Sequence, residues 1–122
     1  MNDLSHFSDS GRARMVDVSE KSSTQRVAIA SGVLRMQPTT LARLREGTIK
    51  KGDVLAVADV AAVMAAKRTP EIIPMCHSIA LTGVEVAFSE ITDADASGCV
   101  GIRIVATARC VGQTGVEMEA LC

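Results

Sequence analysis

Two long runs of alternating residues, joined by a short polar segment, most constrain what this chain can fold into. IALTGVEVAFSEI (79–91) and VGIRIVATARC (100–110) have the alternation and the β-branched content that are typical of strands. The segment TDADASG lies between them, and its Asp, Ser and Gly content suits a hairpin loop. The sequence therefore predicts an antiparallel strand pair in the C-terminal half of the chain.

The residues before this pair predict one further strand and two helices. RVAIASGVLRM (26–36) alternates as a strand should. Pro38 and Gly47 then bracket a short helix, since Pro is favoured at a helix start and Gly just past its end. Asp53 can cap a second helix, in which apolar residues recur at helical spacing until Pro70 prevents its extension.

The last nine residues predict the start of a third helix. Thr114 and Glu117 have the spacing of a capping box, so we expect this helix to begin near Gly115. Only eight residues follow Thr114, and the sequence stops at Cys122. The order of elements predicts an α+β two-layer sandwich, an antiparallel sheet with helices on one face, that lacks its C-terminal helix and strand and leaves part of one sheet face uncovered.

Length and composition indicate one globular domain. A chain of 122 residues with 48% hydrophobic and 22% charged residues can form a single core. Residues 1–25 are polar and rich in Ser, Asp and Arg, so we expect a mobile N-terminal arm followed by one α+β catalytic domain over 26–122, truncated at its C-terminal end. The absence of Trp and Tyr and a net charge of −1 make nucleic acid an unfavoured partner.

The same features predict a cytoplasmic protein. The first twelve residues contain no apolar run of the kind that a secretory signal requires. The longest apolar stretch, VLAVADVAAVMAA, is interrupted by Asp59 and is too short to cross a bilayer. The four cysteines show no CxxC pair and no zinc-ligand spacing, which fits a reducing compartment.

His77 is one of only two histidines and directly follows Cys76 in the segment KRTPEIIPMCHSIA (67–80). A metal site is the least favoured interpretation, because adjacent residues of an extended segment point to opposite sides and no other His or Cys stands at ligand spacing. Core packing and contact with a substrate both remain open from the local sequence.

Two cationic clusters flank the second predicted helix. Lys50 and Lys51 precede its start, where free amides and the helix dipole favour an anion, and Lys67 and Arg68 lie at its end. Taken by itself, each cluster is better explained as a solvated surface feature than as a phosphate site. About 15 helical residues separate them by roughly 20 Å, too far for one small ligand to contact both in one subunit. A shared site would therefore need a neighbouring subunit.

Four separated motifs, taken together, resemble the MoaC family of cyclic pyranopterin monophosphate synthases. They are MVDVSEK (15–21), KKGDV (50–54), AAKRTPEIIPMCH (65–77) and TGVEMEAL (114–121), which occur in the order and spacing of the family. The resemblance covers essentially the whole chain from residue 15. Four motifs in register are far more specific than any one of them.

The resemblance implies a fold, a reaction and an assembly. The fold is ferredoxin-like, and the family forms homohexamers, as trimers of dimers, with active sites at subunit interfaces. The reaction is that of a lyase in molybdenum cofactor biosynthesis, which converts (8S)-3',8-cyclo-7,8-dihydroguanosine 5'-triphosphate to cyclic pyranopterin monophosphate with release of diphosphate. We expect no cofactor, no bound metal and no membrane partner.

The resemblance also assigns roles to particular residues. Lys51 falls on a catalytic lysine, which we interpret as a general acid and base. His77 and Lys67 would contact phosphate, and the carboxylate of Glu119 would accept N–H groups of the guanine-derived ring. The full set of expected substrate-binding residues is Met75, Cys76, His77, Met118, Glu119, Lys67, Asp17 and Glu117.

The chain departs from the family pattern at three places. Ser78 follows the histidine where relatives usually have Pro, and Gln113 stands where they usually have Lys, which removes a charge near the site. The family also places a catalytic Asp and Lys on the helix that this sequence leaves at Cys122. A non-catalytic nucleotide- or pterin-binding regulatory module is the rival hypothesis, and a structural subunit that completes its sheet against a partner is a third.

Overall fold

The computed structural model describes Ala13, residues 15–17, Ser19, residues 23–47 and residues 53–122. Within these ranges the chain forms three strands and four helices. In chain order they are β1 (Thr24–Met36), α1 (Pro38–Glu46), α2 (Val54–Lys67), α3 (Thr69–Ile72), β2 (Leu81–Ile91), β3 (Val100–Gly112) and α4 (Glu117–Leu121).

The three described strands form one antiparallel sheet in the order β1-β3-β2. β3 pairs with β1 along its whole length and with β2 on its other side, with one irregularity between Leu81 and Gly83. The predicted hairpin is therefore confirmed, and β1 begins at Thr24, two residues earlier than predicted. The α+β prediction is confirmed, and the strand order is consistent with the ferredoxin-like arrangement.

The helices pack on one face of the sheet, which we call the helix-covered face. Even-numbered residues of the strands point to this face, because successive side chains of a strand alternate between its two sides. The core contains two clusters of buried residues: Ala108, Cys110, Val116 and Ala120 with α4, and Leu41, Val100 and Ile102 with α1. The opposite, open face exposes apolar side chains, among them Val27, Ile29 and Val111.

The ends of α1 and α2 confirm the predicted start and stop signals. Pro38 opens α1, and Gly47 closes it in the left-handed conformation with φ of 65°. The Asp53 carboxylate accepts hydrogen bonds from the backbone N–H groups of Leu55 and Ala56, at 3.1 and 3.2 Å. No helix in the described part of the chain is long and apolar enough to span a membrane.

The predicted capping box at the last helix is wrong. α4 begins at Glu117, two residues after the expected start, and Val116 occupies the N-cap position without a side-chain cap. Val116 is 1% exposed and belongs to the core cluster beneath α4. Burying this side chain requires the chain to stay non-helical through Gly115, so the hydrophobic contact overrides the local signal of Thr114 and Glu117.

Close packing of β1 against β3 predicts a large effect of one small substitution. A Cβ atom at Gly101 would lie 2.8 Å from the backbone oxygen of Leu34 and 3.3 Å from Cγ1 of Val33. Because a backbone oxygen cannot move without shifting its strand, we expect Gly101→Ala to lower the free energy of unfolding by about 1–3 kcal/mol. Urea denaturation of the purified protein measures this change.

Gly32→Ala is the matched control on the partner strand. A Cβ atom at Gly32 meets nothing within 4 Å. We expect this variant to be as stable as the wild type, or more stable by about 0.5 kcal/mol, because alanine restricts the unfolded chain. Equal destabilisation by both substitutions would contradict the proposed steric cause.

Candidate functional site

The antiparallel topology brings three chain segments together at one end of the sheet, which we call the site end. β1 and β2 start there and β3 ends there, since Thr24 pairs with Gly112 and Leu81 is opposite Cys110. The residues before β1, the residues before β2 and the residues after β3 must therefore lie near one another. These are the segments that contain most of the predicted site residues.

The segment before β2 presents Met75, Cys76 and His77. Met75 has a φ of 68°, a left-handed conformation that is uncommon for a residue with a side chain, so the chain turns sharply just before Cys76. Cys76 and His77 are both half-buried. Ile79 packs against the core cluster beneath α4 and so anchors this segment to the site end.

Glu119 places a carboxyl group among these residues from α4. Its side chain is buried, at 5% exposure, and borders a cavity of about 240 Å³ whose other walls are mainly apolar. Burial raises the pKa of Glu119, and the neighbouring carboxylate of Glu117 adds to the shift. Burial together with the negative charge of Glu119 raises the pKa of the Cys76 thiol, so these two side chains are within electrostatic range of each other.

Glu117 and Met118 lie on the exposed part of α4, with Met118 41% exposed. The carboxylate of Glu117 occupies the space where a Cβ atom of residue 115 would stand, which only glycine leaves free. Glu117 therefore folds back over the loop that precedes α4. Together with Met118 it borders the outer side of the site.

Asp17 reaches the site end from the segment before β1. Its Oδ1 accepts a hydrogen bond from the backbone N–H of Ser19 at 2.9 Å. The pKa of Asp17 is lowered by this bond, by the Ser19 hydroxyl and by the positive charge of His77. Asp17 and His77 are thus within electrostatic range of each other. Gln113 extends this contact, because its side-chain Nε2 donates to the carbonyl oxygen of Ser19 at 3.3 Å.

Arg26 is a candidate site residue that the sequence reasoning missed. It pairs with Cys110 across β1 and β3, and its Nη2 donates to the carbonyl oxygen of Gln113 at 3.5 Å. Its Nε is buried and has no hydrogen-bond partner among the described residues. An orphaned buried donor on a cation is a group that an anionic ligand can satisfy. The signal in the sequence was a charged residue at a core-facing position, two residues before Ala28.

The structure brings some of the predicted residues together and leaves others apart. At the site end Asp17 is within electrostatic range of His77, and Glu119 is within electrostatic range of Cys76 and Glu117; we refer to these five residues as the cluster. Lys67 is exposed in the last turn of α2, and within the described ranges no hydrogen bond or ion pair joins it to the cluster. Lys51 lies outside the described residues. The described part of the chain holds no group of three His, Cys, Asp or Glu suited to a metal ion.

The raised pKa of Glu119 predicts how stability depends on pH. Because the folded state binds this proton more tightly than the unfolded chain, the contribution to stability is fully present below pH 4.5 and is lost as pH rises through the folded-state pKa. We expect Glu119→Gln, which is neutral at every pH, to raise the free energy of unfolding at pH 7.5 by about 1 kcal/mol. Denaturation curves at pH 4.5 and 7.5 test this.

Glu71→Gln is the control for that experiment, because Glu71 is exposed on α3. We expect it to change the free energy of unfolding by less than about 0.5 kcal/mol at both pH values. A Glu119→Gln protein with the same decline in stability between pH 4.5 and 7.5 as the wild type would show that the buried carboxyl is not the cause.

A cation, Arg26, an imidazole, His77, and one buried carboxyl group, Glu119, belong to the segments near one end of a small α+β domain, an arrangement that suits a protein that binds a small polar molecule. The chain belongs to the MoaC family, whose model matches residues 15–122. It is 56% identical to the cyclic pyranopterin monophosphate synthase of Brevibacillus brevis over 118 residues, which are 97% of this chain and 70% of that relative. The predicted family is therefore confirmed.

Two further relatives carry the same name. The cyclic pyranopterin monophosphate synthase of Dinoroseobacter shibae is 54% identical over 99% of this chain and 73% of its own length. That of Listeria monocytogenes is 52% identical over 98% of this chain and 71% of its own length. The chain thus spans nearly three quarters of these relatives and is an enzyme of this family.

Proposed function

We propose that this chain converts (8S)-3',8-cyclo-7,8-dihydroguanosine 5'-triphosphate to cyclic pyranopterin monophosphate and diphosphate. The observation that carries the proposal is the family match over residues 15–122, and the buried, unsatisfied Nε of Arg26 near the site end supports it. The rival hypothesis of a non-catalytic regulatory module is not favoured, because the reported relatives are named as synthases.

Different site residues suit the two parts of the substrate, the anionic triphosphate and the guanine-derived ring. Arg26 supplies a fixed positive charge with an unsatisfied donor, and His77 lies at the same end of the sheet, so the two suit the triphosphate. Lys67, exposed in the last turn of α2, is a third cation that the resemblance assigns to the phosphates. Glu119 suits the guanine-derived ring, because a buried carboxyl with a raised pKa can accept N–H groups or keep a proton to donate.

The expected chemistry is proton transfer during ring opening and reclosure, followed by displacement of diphosphate. Lys51 is the proposed general acid and base, on the resemblance alone. Cations around the phosphates stabilise the charge that develops as the cyclic phosphate forms and the diphosphate leaves. Asp17 next to His77 would hold the imidazole in one orientation against the substrate.

A homohexamer with active sites at its subunit interfaces is part of the proposal. α2 contains 14 residues, so its length of about 21 Å separates Asp53, near Lys51 in sequence, from Lys67. One substrate could contact both lysines if a neighbouring subunit supplied one of them. Two exposed apolar surfaces support such an assembly: the open sheet face with Ile29, 69% exposed, and the outer side of α2 with Val57 and Val60.

We place the enzyme in the cytoplasm. Cys76, Cys99, Cys110 and Cys122 are all free thiols in the structure, and free thiols persist in a reducing compartment. The proposed reaction is a rearrangement with loss of diphosphate. It needs no redox partner.

The purified protein, incubated with the cyclised dihydroguanosine triphosphate, tests the proposal. Release of diphosphate together with a product of the mass of the cyclic monophosphate is the expected result. GTP that has not been cyclised is the control and should release no diphosphate. Tight binding of the cyclised compound without any diphosphate release would favour the regulatory module, and no binding of either compound would favour a structural subunit.

A further inference from the structure

Gln113 links two parts of the site that are far apart in sequence. It is the first residue after β3, and its backbone carbonyl accepts a hydrogen bond from Nη2 of Arg26 at 3.5 Å. Its side-chain Nε2 donates to the carbonyl oxygen of Ser19 at 3.3 Å. The same residue therefore contacts the site cation and the segment that carries Asp17.

Polar contacts help to position the segment that carries Asp17, together with a β-bridge at Ala13 and the half-buried side chain of Val16. Asp17 and Ser19 are both exposed, so burial of their side chains contributes little. The bond from the Ser19 N–H to Asp17 fixes the direction of the carboxylate within the segment. In the part of the chain that the structure describes, the bond from Gln113 is the one that ties Ser19 to the sheet.

We propose that Gln113 is a positioning residue, whose side-chain amide holds the Asp17 and Ser19 turn beside His77 and Arg26. The side chain at position 113 then has to donate a hydrogen bond and to be long enough, as glutamine is, to reach the Ser19 carbonyl. A lysine, which the family resemblance places here, can donate to the same oxygen. Compared with lysine, glutamine keeps a hydrogen-bond donor but removes one positive charge next to the proposed phosphate contacts. The identity of the ligand in this proposal rests on the proposed function. The hydrogen bond from Gln113 to Ser19, which we call the tether, does not depend on it.

Three substitutions of Gln113 separate donation from size and charge. Gln113→Ala removes the donor, and Gln113→Glu keeps the shape but offers only acceptors at neutral pH. Gln113→Lys keeps a donor of sufficient length. Gln37→Ala is the control, because Gln37 precedes α1 and its side chain makes no cap hydrogen bond. All four proteins are compared with the wild type at equal concentration and salt.

Amide hydrogen exchange of Ser19, measured by NMR, reports on the tether. The Ser19 N–H is itself bonded to Asp17, so loss of the bond from Gln113 to the Ser19 carbonyl should speed this exchange about fivefold in Gln113→Ala and Gln113→Glu by letting the turn open more often. Gln113→Lys and Gln37→Ala should exchange at the wild-type rate, as should the β1 amides in every variant. Unchanged exchange of Ser19 in both Gln113→Ala and Gln113→Glu, or fast exchange in Gln113→Lys, would overturn the proposal.

Binding of the cyclised dihydroguanosine triphosphate, measured by calorimetry, reports on the site. Its dissociation constant should rise about tenfold in Gln113→Ala and Gln113→Glu and stay within about threefold of wild type in Gln113→Lys. Faster exchange of Ser19 with unchanged affinity would refute the positioning role. A wild-type protein that binds no such compound would contradict the proposed function. The exchange of the Ser19 amide would still test whether Gln113 holds this turn in place.

Discussion

Lys51→Ala is expected to lower the turnover of the cyclised dihydroguanosine triphosphate about 10²- to 10⁴-fold, the usual contribution of a general acid or base. The expectation follows from the role that the family resemblance assigns to Lys51. Removal of the amine leaves the other phosphate contacts in place, so the dissociation constant of the substrate should rise much less than turnover falls. Single-turnover assays with the enzyme in excess separate the two quantities.

Two variants make this prediction specific. Lys50→Ala removes the adjacent charge and should retain turnover within about threefold of wild type, because the resemblance assigns a catalytic role to Lys51 and none to Lys50. Lys51→Arg keeps the charge but does not release a proton near neutral pH, so it should be nearly as slow as Lys51→Ala. A Lys51→Ala protein with wild-type turnover would refute the general acid and base role and favour a binding module.

Arg26→Ala is expected to weaken binding of the same triphosphate about 10- to 100-fold. The bond from Nη2 to the carbonyl oxygen of Gln113 holds the guanidinium at the site end, and the buried Nε, which has no partner among the described residues, remains available to a phosphate oxygen. Charge-assisted hydrogen bonds to phosphate contribute about 1.5–3 kcal/mol each, which corresponds to this range. Calorimetric titration measures the dissociation constant, and the guanosine monophosphate should lose less affinity than the triphosphate because it carries fewer charges.

The controls for Arg26 test geometry and position. Arg26→Lys keeps the charge without the planar fork, so we expect an intermediate loss of affinity. Arg45→Ala removes an exposed arginine that is ion-paired with Glu90. Glu90 lies opposite Ile102, about eight residues or 26 Å along β3 from Cys110 at the site end. This variant should therefore leave binding unchanged. Equal losses from Arg26→Ala and Arg45→Ala would indicate that only net charge matters.

Much of the fold could be predicted because it depends on local signals. Alternation of apolar residues predicted β1, β2 and β3, and the bounds differed by only a few residues. Pro38, Gly47 and Asp53 marked helix ends through the conformations and hydrogen bonds that these residues favour. The start of α4 was predicted incorrectly because burial of Val116 is a long-range contact, which no local spacing reports.

The candidate site divides in the same way. Cys76, His77 and Glu119 were found as residue types within motifs, and the structure brings Glu119 within electrostatic range of Cys76, the sequence neighbour of His77. Arg26 was missed because its importance lies in an unsatisfied Nε, which exists only after the surrounding chain buries it. Lys67 and Lys51 remain predictions, since the first makes no contact with the cluster among the described residues and the second lies outside them.

The sequence by itself determined the element types, the family and most of the residues that carry the proposed chemistry, because these follow from neighbouring residues and from ordered motifs. Only the tertiary structure decided which of those residues meet. Antiparallel pairing brings the starts of β1 and β2 to the end of β3, and this pairing joins residues that are more than 80 positions apart, such as Arg26 and Cys110. Such contacts depend on sheet registration and burial, which are properties of the whole folded chain.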